Sequence, residues 1–267
     1  MPGSNPGHAT PATPAERVAP GIDAIGSRDA PAIVFLHGTR LSRAVWTPQL
    51  AALGDEFRAI AVDLPSHGEL SNEPFTLANA VDVVAAAIRE QAAGQRAVVV
   101  GLSLGGYVAM SLSAQRPNLV RGLVIAGASA EPVGLGVLPY RALAVLLTRL
   151  DGPRLDGLSA RFFRMRYPAA IADPIVAGGF WSAGGAEALK ALFNERFLPR
   201  LAVYPGPSLI LNGELDLLFR WSAGRFSAAA ADGRRLRLAG ALHLSNLDRP
   251  AAFSLAVREF ARSIDRA

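Results

Sequence analysis

The sequence predicts an α/β fold: a mostly parallel sheet flanked by helices, with a helical lid inserted late in the chain. Three observations carry this. Short Val/Ile/Leu runs alternate with longer segments of helical period, the order that builds a parallel sheet with helices on both faces. Several runs are apolar throughout, as strands buried on both faces are. The alternation then stops from Glu131 to Leu201, where Gly and Pro separate helix-like pieces and no convincing strand occurs.

In chain order, residues 1–20 form a Pro/Ala/Thr-rich stretch that reads as a disordered tail. It has neither a basic start nor an apolar run, so no secretory signal is expected there. Strands are predicted at Ala32–Leu36, Ala59–Leu64, Ala97–Leu102, Gly122–Ala126, Ser208–Leu211 and Arg235–Leu238. Helices are predicted at Thr47–Leu53, Leu77–Gln91, Leu104–Gln115, Trp221–Ala231 and Pro250–Ile264. Residues 21–130 and 202–267 then make the core and 131–201 the lid, with helices expected at Tyr140–Leu150, Leu155–Arg166 and Ala186–Phe197. A lid in that place sits over the C-terminal ends of the strands, where open α/β sheets bind ligands.

Composition narrows the function classes. Of 267 residues, 51% are hydrophobic and 18% charged, which supports a sizeable core and excludes general disorder. The absence of cysteine removes disulfides, thiolate nucleophiles and cysteine metal sites. The net charge of +5 rests on scattered arginines, with Lys190 the single lysine. The densest groups, Arg161, Arg164 and Arg166, and Arg234, Arg235 and Arg237, form no long basic run with interleaved aromatics. Nucleic acid is therefore not expected as a partner. No segment approaches the roughly 18 apolar residues that span a bilayer, so no membrane partner is expected and the cytoplasm is the default compartment.

The strongest chemical signal is Gly101-Leu102-Ser103-Leu104-Gly105-Gly106, directly after a strand and before a helix. Glycines two residues either side of a serine permit a sharp strand-to-helix reversal that a Cβ would obstruct. Ser103 is then presented at a helix N-terminus, where free N–H groups favour negative charge. A glycine-rich packing turn is the plainer alternative. His37-Gly38-Thr39 ends an earlier strand. Such a turn can aim the Thr39 N–H, together with that of Leu104, at a reacting carbonyl oxygen.

These segments resemble the α/β-hydrolase superfamily, in particular small cap-bearing serine hydrolases of the esterase, lactonase and cofactor-free haloperoxidase kind. The resemblance also includes Asp63-Leu64-Pro65-Ser66-His67-Gly68, Asn212-Gly213-Glu214-Leu215-Asp216 and Leu242-His243-Leu244, in the family's order, and runs from about Ala32 to Arg262. It implies an α/β-hydrolase fold. Ser66 departs from the glycine often found before His-Gly.

Asp216 follows a strand through a glycine turn, in the arrangement the family uses, with Glu214 its nearest competitor. His243 follows the last strand, with His67 as rival base; the resemblance makes His67 structural. Ser103, Asp216 and His243 occur in the serine–acid–histidine order of this fold. Asp63 reads as a turn residue, because no acid or histidine cluster has metal-ligand spacing. No glycine fingerprint fits a dinucleotide. Neither metal nor organic cofactor is expected.

For the substrate pocket the sequence offers Trp46, Phe162, Phe163 and Trp181, with the lid arginines interspersed. The plainer reading packs those aromatics under the lid. The expected function is hydrolysis of a carboxylic ester, lactone or thioester in a small-molecule substrate through an acyl-enzyme. Carbon–carbon cleavage of a β-diketone-like substrate and perhydrolysis share the same residues. A non-catalytic ligand-binding homologue is the reading outside enzymes.

Overall fold

The computed structural model describes residues 15–150 and 152–265. Among the described residues eight strands form one sheet: β1 (Glu16–Ala19), β2 (Ile22–Ile25), β3 (Ala32–Leu36), β4 (Arg58–Val62), β5 (Ala97–Leu102), β6 (Val120–Ala126), β7 (Pro207–Gly213) and β8 (Asp232–Leu238). Their spatial order is β1-β2-β4-β3-β5-β6-β7-β8. The first two pairings, β1 with β2 and β2 with β4, are antiparallel and all others parallel.

The central strands follow the sequence reading because their residues are apolar on both faces. Every residue of β3, β4 and β5 is buried, between two apolar layers. The arginine group on β8 occupies the sheet edge, where exposed charge discourages pairing with another chain.

The helices are α1 (Thr47–Leu53), α2 (Leu77–Gln91), α3 (Leu104–Gln115), α4 (Leu138–Arg149), α5 (Gly152–Arg166), α6 (Ala169–Ala177), α7 (Ser182–Ala191), α8 (Leu198–Ala202), α9 (Leu217–Arg220), α10 (Ala223–Ala229), α11 (Ser245–Asp248) and α12 (Pro250–Asp265). The first three match their predicted bounds. Thr76 caps α2, its Oγ1 accepting from Asn79 N–H at 3.0 Å. Among the described residues no helix is long and apolar enough to cross a membrane.

The structure departs from the sequence reading in several places. The helix expected at Ala186–Phe197 lies earlier, at Ser182–Ala191, β8 begins at Asp232 rather than Arg235, and β2 was not expected. Strand β1 lies inside the stretch taken as a tail, paired to β2 through a turn at Pro20-Gly21 with Gly21 at φ +70°. Pairing with another segment supplies what local composition lacks; residues 1–14 lie outside the described residues. Strand β4 ends at Val62, because Asp63 N–H turns to Gly21 O and Leu64 N–H to His37. The helix expected at Trp221–Ala231 is confined to Ala223–Ala229 (α10), and a separate single turn, Leu217–Arg220 (α9), precedes it. Helix α6, which Pro174 masked in the sequence, forms because buried Ala172 and Ile175 pack it on the core.

The insertion between β6 and β7 carries α4 to α8, and its two ends meet. Glu131 Oε1 accepts the N–H groups of Phe197 and Leu198, each at 2.7 Å, and Asn194 N–H reaches Pro132 O at 2.9 Å. The insertion expected to act as a lid is therefore tied at its base.

Candidate active site

The C-terminal ends of β3, β5, β7 and β8 bring His37, Ser103, Asp216 and His243 to one side of the sheet. Ser103 has φ +52° and ψ −114°, a conformation that L-residues rarely hold. Its surroundings explain the glycines. A Cβ on Gly101 would come 2.2 Å from Gly105 O, and one on Gly105 would come 2.2 Å from Leu36 O. Only glycine lets α3 start so close to β3 and β5.

His243 Nδ1 lies 2.8 Å from Asp216 Oδ2. A carboxylate oxygen accepts, so this contact favours the tautomer with the proton on Nδ1 and the lone pair on Nε2. The Phe219 ring stacks on the imidazole, with centroids 4.9 Å apart and planes 24° apart. Gly127 also lies against the pair: a Cβ there would come 3.1 Å from His243 Nδ1 and 3.4 Å from Asp216 Oδ2. Asp216 is buried while His243 is partly exposed. Glu214, the competing acid, is occupied elsewhere, accepting from Gly240 N–H at 3.0 Å.

The turn Gly38–Leu41 stands beside the serine. A peptide unit is planar, so fixing the Gly38 carbonyl also fixes the Thr39 N–H. That carbonyl accepts from His37 Nδ1 at 2.9 Å and from Leu41 N–H at 3.2 Å. His37 Nε2 in turn accepts from Leu64 N–H at 2.9 Å, which sets the tautomer. His67 Nδ1 donates to Pro65 O at 2.9 Å and its Nε2 accepts from Arg40 N–H at 3.3 Å. Burial lowers the His37 pKa to about 4 and, with the neighbouring His37, lowers that of His67 to about 3. Both rings are neutral braces of this turn. Leu104 opens α3, where the leading N–H groups have no partner within the helix. Its peptide plane is fixed because Ser103 O accepts from Gly106 N–H at 2.9 Å.

Ser103, Asp216 and His243 line one cavity of about 480 Å³. Thr39, Arg40 and Leu41 lie on its wall, with Pro139, Tyr140, Leu143, Leu189, Leu218 and Leu244 among the other lining residues. Tyr140 anchors α4 over the core: it donates to Tyr107 Oη, which itself donates to Ala130 O at 2.9 Å. Burial pushes the Tyr140 hydroxyl up to about 12, so it stays a neutral donor.

The four aromatics offered for the pocket lie elsewhere. Trp46 is fully buried between Phe35 and Phe253, 5.0 and 5.8 Å from their centroids. Phe163 packs against Phe180 and Tyr167, Phe162 is exposed, and Trp181 lines a separate groove with Ser66 and Asn72 of the core. The reason is register: α5 spends its aromatic face on seating the lid, and the cavity wall falls to α4 and α7. Arg164 and Arg166 pair with Asp173 and Asp248. Asp63 is wholly buried, ion-paired to Arg43 and accepting from the N–H groups of Arg43 and Glu69 at 2.7 and 2.9 Å. Phe219, Gly127, Tyr140, Leu143 and Leu189 were missed. The tyrosine directly after the double glycine was the one available hint to a lid anchor.

This strand order, with a serine on a strained turn and a histidine–aspartate pair at the strand ends, defines a class of hydrolases. Residues 33–256 match the Alpha/beta hydrolase family, and the chain belongs to it. It is 29% identical over 260 residues to a pimeloyl-[acyl-carrier protein] methyl ester esterase of Edwardsiella ictaluri, covering 88% of this chain and 94% of that protein. It is 32% identical over 231 residues to a 2-(acetamidomethylene)succinate hydrolase of Mesorhizobium japonicum, covering 78% and 77%. Among solved structures, a thermophilic esterase from Thermogutta terrifontis superposes with a TM-score of 0.76 at 23% identity, over 91% of this chain and 93% of that one. The protein is an enzyme of the hydrolase class with this fold.

Proposed function

We propose that the protein is a serine hydrolase that cleaves the ester bond of a small substrate with a compact apolar acyl group. The observation that carries this reading is the 2.8 Å His243–Asp216 contact opening into the same cavity as the strained Ser103. In this mechanism Ser103 Oγ attacks the carbonyl carbon while His243 Nε2 takes the hydroxyl proton. Asp216 holds the tautomer and stabilises the imidazolium. The Thr39 and Leu104 N–H groups receive the oxyanion.

Collapse of the tetrahedral intermediate breaks the C–O bond, and His243 returns the proton to the departing alcohol. Water, deprotonated by His243, then attacks the acyl-enzyme, and its collapse restores Ser103 and releases the acid. The cavity lies within the range of small-molecule sites, and its leucines suit an acyl chain better than a charged one. The methyl ester esterase among the relatives supports an ester over other acyl bonds.

The test is hydrolysis of chromogenic acyl esters from acetyl to decanoyl by wild type and Ser103→Ala. The expected outcome is an acylation burst that the variant lacks, with best turnover on short to middle chains. Equal, negligible rates in both proteins across the series would overturn the reading.

A further inference from the structure

The residue after Thr39 does more than continue the turn. Arg40 is non-glycine at φ +67°, a left-handed conformation that costs a side chain energy and persists only where surrounding contacts hold it. The contacts come from both halves of the molecule. Its N–H is held by His67 in the core, while its carbonyl accepts from Trp181 N–H at 2.9 Å, just before α7. Its guanidinium reaches into the lid: Nε donates to Ser182 Oγ at 3.1 Å, and Nη2 donates to Ser159 Oγ at 3.0 Å and pairs with Asp156 at 3.5 Å. Arg40 therefore bonds α5 and α7 at once.

The lid backbone is cut to fit this turn. Gly184 and Gly185 open α7 against the core. A Cβ on Gly185 would lie 2.7 Å from Arg40 Cγ and 3.0 Å from Thr39 Cγ2, and one on Gly184 would lie 1.9 Å from Ser66 O. The double glycine thus lets a lid helix rest directly on the residue whose N–H faces the reacting oxygen. An arginine bound by two serines and an aspartate is a structural fork rather than a free anchor for a substrate carboxylate.

We infer that Arg40 is a positioning residue that makes seating of the lid and alignment of the Thr39 N–H a single event. The inference rests on the ester-hydrolase reading above. An open lid then leaves the donor misaligned, and catalysis waits for closure.

The experiment compares Arg40→Gly, Arg40→Ala and the lid variant Asp156→Asn/Ser159→Ala with wild type. Each is measured for kcat and KM on the best ester and for amide hydrogen exchange in α5 and α7. Glycine adopts positive φ freely, so Arg40→Gly separates the turn's shape from the side chain's hold on the lid. Both Arg40 variants are expected to lose kcat by about 10- to 100-fold with KM within about threefold, the scale of a misplaced transition-state donor. The lid variant is expected to lose kcat in the same sense by less, and all three to exchange faster in α5 and α7. Wild-type kcat in Arg40→Gly would overturn the inference, as would unchanged kcat in the lid variant despite faster exchange. Should wild type show no Ser103-dependent turnover, the ester reading fails by itself. The exchange data still report whether Arg40 holds the lid, and unchanged exchange in every variant would overturn that hold as well.

Discussion

Acid should destabilise this protein well before its carboxylates titrate, and the cause lies in two buried histidines. His37 and His67 each accept a backbone N–H through Nε2, from Leu64 and Arg40. A proton there would set N–H against N–H, and the rings are only 5.1 Å apart, so two cations would also repel. Burial accordingly depresses the pKa values from 6.5 to about 4 and about 3. The sign follows directly. Above pH 6.5 both states are neutral and stability is fully present. As pH falls, the unfolded chain takes up protons that the fold refuses, so stability is lost from 6.5 down through the folded values. At pH 5 each ring costs about 2 kcal/mol, and the pair costs about 4 kcal/mol, against a total of roughly 5–15 kcal/mol for a typical domain. Between pH 6 and 5 alone the loss is about 2.5 kcal/mol. Glu56 and Glu69, whose values lie below the usual 4.5, lose their contribution only at lower pH.

The assay is urea unfolding at pH 7.5, 6 and 5 for wild type and His67→Gln, with intrinsic fluorescence as probe. The variant should begin less stable but lose only about half as much between pH 6 and 5. A wild-type loss below about 1 kcal/mol in that interval, or equal losses in both proteins, would refute the assignment of neutral buried rings.

Further outcomes are expected. Asp216→Asn should lower kcat by roughly 10³- to 10⁴-fold with little change in KM, because an amide can hold His243 in the wrong tautomer; steady-state ester kinetics check this. Gly105→Ala should give little soluble protein or a fall in unfolding free energy of at least about 2 kcal/mol, since its Cβ meets Leu36 O at 2.2 Å; urea unfolding decides it. Asp63→Asn weakens a buried network in which Arg43 keeps Asp23 and Glu69, and should cost about 1–3 kcal/mol in the same measurement. Leu143→Trp narrows the cavity wall, and the ester series should shift to shorter acyl chains while acetyl turnover persists.

Some of this protein is written locally and some is not. The run Ala97–Val100 followed by Gly101, Ser103 and Gly105 determines a strand, a reversal and a helix, because tight-turn sterics act within a few residues. For the same reason β3, α2 and α3 are legible to the residue, and the order Ser103, Asp216, His243 can be read without coordinates. Strand β1 was not legible, since four half-polar residues become a strand only when β2 pairs with them. Nor were the cavity walls. Tyr140, Leu143 and Leu189 become a lining only once α4 and α7 settle over the strand ends, whereas the more conspicuous Trp46 and Phe163 are consumed by packing. His37, His67 and His243 look alike as letters. Tertiary burial makes the first two neutral braces and leaves the third partly exposed beside an aspartate, because solvation and partners brought from distant segments decide what an imidazole does.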